Sequence, residues 1–221
     1  VVAALGETVS LDQLNVLAKL INVKSPELRG AAQQAIHAAC DRMPNRDAAS
    51  EELSQYLSDD TAEFVMNELR LIGGDKALQI VTQAAEGNGA VLKEYATRSM
   101  GEWLDVSVSP ALLKLAKDEG GGKYGIRAIK GYIRIARQFT LPEAKRMAMC
   151  RTALSVATRT SEQRLVLTVL ERNPSVAALR IAVVASKKPA LRKFAKQSAQ
   201  RIAAKLGVSQ EVEKLLGQIP G

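Results

Sequence analysis

Residues 109–139 have the sequence SPALLKLAKDEGGGKYGIRAIKGYIRIARQF, which contains the clearest helical pattern of the chain. Ser109-Pro110, like Ser25-Pro26 earlier in the chain, is typical of a helix start, because proline fits the first helical turn without losing a hydrogen bond. The run Gly120-Gly121-Gly122 then interrupts the helical pattern. From Ile126 to Ala136 apolar side chains recur at spacings of three and four residues, which places them on one helical face. The stretch therefore predicts two amphipathic helices joined by a glycine turn.

A helix pair of this kind recurs about every 30 to 36 residues, roughly six times along the chain. The pairs are expected to start near Ser10, Asp47, Asp75, Ser109, Leu141 and Pro174, and a short closing helix is expected over residues 209–216. Helix pairs repeated at this spacing bury their apolar faces by stacking on their neighbours. We therefore expect an all-α solenoid of about six helix pairs, forming a single domain over residues 1–221.

Charge is distributed unevenly along the chain. Residues 1–110 carry 9 Lys and Arg against 16 Asp and Glu, a net charge of −7. Residues 111–221 carry 22 Lys and Arg against 7 Asp and Glu, a net charge of +15. An acidic half followed by a strongly basic half indicates which charged partners the protein can bind, and it says little about the fold.

The second helices of the pairs share a further pattern, a basic residue near the start. It occurs in five of the six, as Leu28-Arg29, Leu92-Lys93, Ile126-Arg127, Gln163-Arg164 and Leu191-Arg192. With the prolines near the start of several first helices, this pattern resembles the HEAT-repeat family; the second pair departs from it with Glu63-Phe64. The resemblance implies a right-handed α-α superhelix of the armadillo type, with second helices on the concave face, and a role in protein binding or scaffolding.

A second resemblance concerns residues 131–184. This stretch is similar to HEAT-type modules in uncharacterised, often exported, bacterial multidomain proteins. It implies that the chain is part of a larger protein. The compartment stays open, because no targeting signal is visible and the cysteine pattern is uninformative. The sequence leaves the oligomeric state open as well.

The sharpest candidate site lies on the second helix of the fourth pair. Lys123, Arg127, Lys130, Arg134 and Arg137 follow one another at spacings of 4, 3, 4 and 3 residues, so they form one stripe along a single helical face. If second helices line a groove, the stripe points into it. A charged helix face can also be simply solvated, and this alternative stays open.

Later second helices add further cations. Lys188, Arg192 and Lys196 are spaced at i, i+4 and i+8 on the second helix of the sixth pair, which is expected to open at Lys188-Pro189, and Lys193, Arg201 and Lys205 lie nearby. Arg164 lies on the helix between them and the stripe. Together these groups predict a basic band on the concave side that attracts phosphate, carboxylate or sulfate groups. We expect replacement of Arg127, Lys130 and Arg134 by Glu to abolish polyanion binding while leaving helicity unchanged.

Nucleic-acid binding is the alternative reading of the same band. Single strands are held by aromatic stacking platforms beside basic groups. Only Tyr124 flanks the stripe, because Tyr132 falls on the apolar arc. HEAT-like DNA glycosylases use tryptophans and an aspartate in a concave cleft, but Trp103, the only tryptophan here, lies beside Asp105 in the acidic half. We expect Trp103 to be a core residue.

No catalytic motif is visible. His37 and Cys40 are two residues of metal-ligand type, which do not make a metal site, and Cys40 and Cys150 are expected to be buried thiols. The glycine run at 120–122 lacks the Lys-Ser/Thr of a phosphate-binding loop. We therefore expect a non-catalytic module without cofactor, metal, membrane segment or small-molecule substrate. Its expected partner is an acidic protein segment or another polyanion.

Overall fold

The computed structural model describes residues 2–220, apart from the side chain of Ala3, and these residues are helical, with turns between the helices and no β-strand among them. The α-helices are α1 Val2–Leu5, α2 Leu14–Ala18, α3 Pro26–Arg42, α4 Arg46–Ser54, α5 Ala62–Ile72, α6 Gly74–Glu86, α7 Ala90–Gly101, α8 Ser109–Glu119, α9 Lys123–Gln138, α10 Glu143–Val156, α11 Thr160–Arg172, α12 Val176–Ser186, α13 Arg192–Leu206 and α14 Gln210–Leu216. A 3₁₀ turn, Leu11–Gln13, precedes α2. The all-α class predicted from the sequence is confirmed.

Helix starts follow the predicted capping residues closely. The Ser25 hydroxyl accepts from the Leu28 backbone N–H at 3.3 Å, with Pro26 as the first helical residue. Ser175 and Ser209 cap α12 and α14 in the same way. These bonds satisfy amide groups that a helix start otherwise leaves without a partner.

The start predicted near Ser10 is confirmed, because Ser10 precedes the 3₁₀ turn that leads into the five residues of α2. One predicted start differs from the structure. The last long helix was expected to open at Lys188-Pro189, but α13 begins at Arg192. Lys188 and Pro189 lie in the turn before it, where the backbone N–H of Leu191 bonds to the carbonyl of Lys188.

The chain divides into two compact units, the first ending at Leu104 and the second beginning at Asp105. In the first unit, α3, α5 and α7 pack side by side, and α2, α4 and α6 form the neighbouring row. Their core is aliphatic, with Trp103 fully buried, as predicted. The largest fully buried side chains of this unit are Trp103, Leu14, Leu17, Ile36, Leu53, Met66, Leu69 and Met100.

In the second unit α9, α11 and α13 pack side by side in one row. Helices α10, α12 and α14 form the other row, and α8 packs along α9. The unit boundary lies close to position 110, where the charge of the sequence changes sign. A single domain made of about six pairs stays a prediction.

The turn between α8 and α9 brings two backbones into close contact. Gly120 has φ of +52°, a left-handed conformation that favours glycine. A Cβ atom at Gly125, within the first turn of α9, would lie 2.2 Å from the Gly120 carbonyl oxygen. The position of α9, which carries the predicted basic stripe, therefore depends on a hydrogen in place of a side chain at residue 125.

Candidate functional site

The predicted stripe on α9 lies on the surface of the second unit. Lys123, Lys130 and Arg137 are exposed, while Arg127 and Arg134 are partly buried. The opposite arc is core, since Ile129, Tyr132, Ile133 and Ala136 are all buried. The spacing argument therefore places the apolar arc of α9 correctly and leaves the cations on the outer side.

Arg146 of α10 holds the C-terminal end of α9. Its guanidinium donates to the carbonyl oxygens of Ala136 at 3.0 Å, Phe139 at 2.9 Å and Leu141 at 3.4 Å. The last carbonyls of a helix have no partner within the helix and carry its negative dipole end. One partly buried cation thus closes the end of the helix that carries the stripe.

Lys130 connects the stripe to α11. Its Nζ lies 3.8 Å from Oε1 of Glu162, a carboxylate with only 1% of its side chain exposed. The same Oε1 accepts from the Ser161 hydroxyl at 3.0 Å, whereas Oε2 of Glu162 is buried without a hydrogen-bond partner. Lys130 therefore partly compensates a buried negative charge and is held near the junction of α9 and α11.

Arg164 connects α11 to α13. Its guanidinium carbon lies 3.9 Å from the centre of the Phe194 ring, a close cation–π contact. Farther along the same junction, Glu171 accepts from Ser198 and Arg201, and its backbone carbonyl accepts from Lys205 at 2.7 Å. The side of α13 that faces α11 is thus the one that carries Phe194, Ser198, Arg201 and Lys205.

The predicted cations Arg192 and Lys196 lie elsewhere on α13. Both are exposed, but at 100° per residue Lys196 is about 160° around the helix from Phe194, which touches α11. They therefore lie on the side of α13 turned away from α11. The structure does not bring them together with the stripe.

Lys188 also lies apart from the stripe. Its Nζ donates to the backbone carbonyl of Leu154 at 3.2 Å, so it closes the C-terminal end of α10 in the other helix row. Of the nine predicted residues, five lie on α9 and Arg164 lies on α11, which packs against α9, whereas Lys188, Arg192 and Lys196 lie elsewhere.

Three further cations complete the surface: Lys193 and Arg201, which the sequence places near the predicted band, and Arg172, which was not predicted. Arg172 is exposed on α11 at i+8 from Arg164, and Lys193 and Arg201 are exposed on α13, also eight residues apart. The i, i+8 spacing of each pair is visible in the sequence. The sequence does not show which side of each helix faces the neighbouring helix. We call the surface formed by these groups the basic face: Lys123, Arg127, Lys130, Arg134, Arg137, Arg164, Arg172, Lys193 and Arg201.

Aromatic rings lie under several of these cations. The Tyr124 ring is approached by Lys123 at 5.5 Å and by Arg127 at 5.9 Å. Arg134 lies 5.5 Å from the centre of the Phe139 ring. Tyr124, Phe139 and Phe194 are all partly buried. Sequence reasoning identified only Tyr124, so the aromatic content of the basic face exceeds the prediction.

The first unit holds a different surface, a polar groove of about 920 Å³ along α3, α5 and α7. Its lining includes cations such as Arg29 and Arg98 and acids such as Glu63 and Glu102. Phe64, Tyr95 and Asn67 also line it. This mixture of both charges with aromatic and amide groups favours no single ligand class.

The remaining candidate residues have structural surroundings. His37 Nδ1 lies 2.8 Å from Oε1 of Glu68, whose pKa is raised mainly by burial and is lowered in part by the His37 contact. Cys40 and Cys150 are buried free thiols, as predicted, and burial raises the pKa of each to about 12. Within residues 2–220, no group of three or more His, Cys, Asp or Glu is placed to hold a metal ion. In the same range, no helix combines the length and the apolarity needed to cross a bilayer.

No protein-family model matches this sequence, and a search of curated proteins finds no similar one. The residues and contacts described above are therefore the basis for a functional proposal.

Proposed function

We propose that the protein is a HEAT-like solenoid, with its helix pairs wound as a right-handed superhelix, that acts as a non-catalytic binding module. The basic face of the second unit holds an acidic segment of a partner protein. The packing of alternate helices side by side within each unit supports the repeat architecture. The resemblance of the second helices to HEAT repeats supports the family.

One observation carries the functional part of the proposal. Five cations occupy a single surface stripe on α9, and further cations on α11 and α13 extend it. Two acids at these helix junctions each contact one cation of the face, Glu162 with Lys130 at 3.8 Å and Glu171 with Arg201 at 3.2 Å, and the nine cations of the face outnumber them. A row of carboxylates on an extended segment can meet such a surface at several points, which multiplies weak individual contacts.

The test compares two triple variants with the same loss of charge. The first replaces Arg127, Arg134 and Arg137 by Gln. Glutamine is preferred to glutamate, and Lys130 is left in place, because a carboxylate at position 130 would face the buried Glu162. The matched control replaces three exposed lysines outside the basic face by Gln: Lys117, Lys145 and Lys187.

Binding of a fluorescein-labelled oligoglutamate is measured by anisotropy at about 0.15 M NaCl, where surface charges act over about 8 Å. Three lost contacts of about 0.5 kcal/mol each amount to about 1.5 kcal/mol, or roughly a tenfold increase in Kd. The control variant is expected to bind like the wild type. Equal weakening by both variants would mean that net charge alone drives binding, and the proposed site would be wrong.

A second candidate function is favoured by the aromatic rings beside the cations. Tyr124, Phe139 and Phe194 are partly exposed aromatic residues of the kind on which bases stack. Each has a guanidinium group beside its ring that could bind a phosphate. Labelled single-stranded DNA and RNA are titrated in parallel, with heparin as competitor. Tighter binding than oligoglutamate, resistance to heparin and a loss of affinity in Tyr124→Ala would favour nucleic acid over an acidic protein segment.

A further inference from the structure

An apolar groove of about 580 Å³ runs between α10 and α12, on the helix row opposite to the basic face. Leu154 of α10 and Ile181 and Ala185 of α12 form its buried floor. Val184 stands in the groove with 58% of its surface exposed, although it lies within a helix. Single exposed apolar residues are ordinary on protein surfaces, whereas a concave surface with an apolar floor is the form that ligand sites and helix-binding grooves usually take.

Three cations line the same groove. Arg151 lies on the α10 side, Arg180 on the α12 side, and Lys188 just beyond the end of α12. The lining described for the groove contains no Asp or Glu. Arg180 contacts Glu211 of α14 at 3.1 Å, an exposed pair, and Lys188 donates to the Leu154 carbonyl. The groove is therefore apolar along its floor and positive along its edges.

The spacing of the cations distinguishes between kinds of anionic ligand. Arg180 precedes the end of α12 by six residues, about 9 Å, and Lys188 follows that end. Arg151 stands on the opposite helix. One carboxylate headgroup of an alkyl chain could reach only one of these positions. Acids distributed along both flanks of a helix could reach all three while an apolar ridge of that helix covers the floor.

We propose that the α10–α12 groove binds an acidic amphipathic α-helix of a partner protein. The apolar ridge of that helix packs on Leu154, Ile181 and Val184, and its flanking carboxylates pair with Arg151, Arg180 and Lys188. This site is independent of the basic face on α9, α11 and α13.

The probe is a labelled peptide of three Leu-Glu-Glu-Leu-Ala-Glu-Ala heptads, which presents leucines on one helical face and glutamates beside them. Binding to the full chain is measured by anisotropy at about 0.5 M NaCl, where the Debye length is about 4 Å and attraction to exposed charge alone is screened. A second peptide has Ser in place of every Leu and keeps all of its charges. A third has Lys in place of every Glu.

Two variants carry the same substitution, valine to glutamate, each at a different exposed valine. Val184→Glu puts a carboxylate into the groove, and we expect it to weaken binding of the leucine–glutamate peptide at least tenfold. Val208→Glu is the matched control, because Val208 lies outside the groove with 91% of its surface exposed. We expect this control to bind like the wild type, and circular dichroism verifies that both variants keep the wild-type helicity.

The result expected is binding of the first peptide, loss of binding with the serine and lysine peptides, and sensitivity to Val184→Glu alone. Binding of the serine peptide as tight as that of the first would overturn the proposal, because charge would then be sufficient. Loss of binding in the Arg127, Arg134 and Arg137 triple variant would also overturn it, since the peptide would occupy the basic face. If no peptide binds and dodecanoate instead shifts the NMR signals of the Val184 methyl groups, the groove binds a small amphiphile and not a helix, and the proposal is overturned.

Discussion

Replacing Gly125 by alanine tests the contact that positions the basic helix. The added Cβ would lie 2.2 Å from the Gly120 carbonyl oxygen and 3.0 Å from the carbonyl carbons of Glu119 and Gly120. All three atoms belong to the backbone, so no flexible side chain can move aside. Alanine gains about 1 kcal/mol over glycine in a helix, whereas overpacking of this kind costs about 3 kcal/mol or more. The expected net loss is about 2 kcal/mol in the free energy of unfolding.

The measurement is urea denaturation followed by far-ultraviolet circular dichroism. With a slope of about 1 to 2 kcal/mol per molar urea, a loss of about 2 kcal/mol lowers the midpoint by about 1 to 2 M. The control is Gly121→Ala, because a Cβ there would meet Thr158 Oγ1 at 3.5 Å, an ordinary contact. The control is expected to stay within about 0.5 kcal/mol of the wild type. A Gly125→Ala variant as stable as this control would refute the close approach of α8 and α9.

Three further predictions concern one partly buried cation and three buried titratable groups. Arg146→Ala leaves three carbonyls at and just after the end of α9 without this donor and is expected to cost about 1.5 to 3 kcal/mol in urea denaturation. Lys145→Ala, at an exposed neighbouring position, should cost less than about 0.5 kcal/mol, and equal losses would contradict the capping role. Because burial raises the pKa of Glu68, the contribution of this carboxyl to the free energy of unfolding is expected to fall as pH rises above about 4.3, the pKa of an unfolded glutamate. The stability of Glu68→Gln relative to wild type should therefore increase with pH from that point, and a constant difference between pH 4 and 8 would argue against the raised pKa. Burial also raises the pKa of both thiols to about 12, so dithiobis(nitrobenzoate) at pH 8 is expected to label them only as fast as the chain unfolds, and rapid labelling of the native protein would be inconsistent with their burial.

Local signals in the sequence account for most of the helix boundaries. Ser25-Pro26, Ser109-Pro110 and the glycine run at 120–122 act through backbone geometry within a few residues, so they can be recognised without tertiary contacts. The five cations on α9 could be placed on one face for the same reason. Their spacing determines their angle around a single helix, whatever that helix packs against.

The parts of the site that sequence reasoning missed depend on tertiary packing. Arg192 and Lys196 share a face of α13, but the contact of Phe194 with Arg164 decides where that face points. Lys188 was assigned to a helix because Pro189 resembles a helix start, and the chain instead makes a turn there. The close contact at Gly125 joins residues of two helices, and no local pattern predicts it.

The rings beneath the cations affect how binding at the basic face is expected to proceed. A long basic side chain in water samples many rotamers, and fixing it on a ligand costs about 0.5 to 1.5 kcal/mol of entropy. Cation–π contacts with Tyr124, Phe139 and Phe194 already restrict Arg127, Arg134 and Arg164 before a ligand arrives, most closely at Arg164. These three guanidinium groups form a preorganised part of the surface, whereas exposed lysines such as Lys193 must be ordered on binding. Affinity gained through the arginines is therefore expected to appear as slower dissociation, and affinity gained through the lysines as faster, salt-sensitive association.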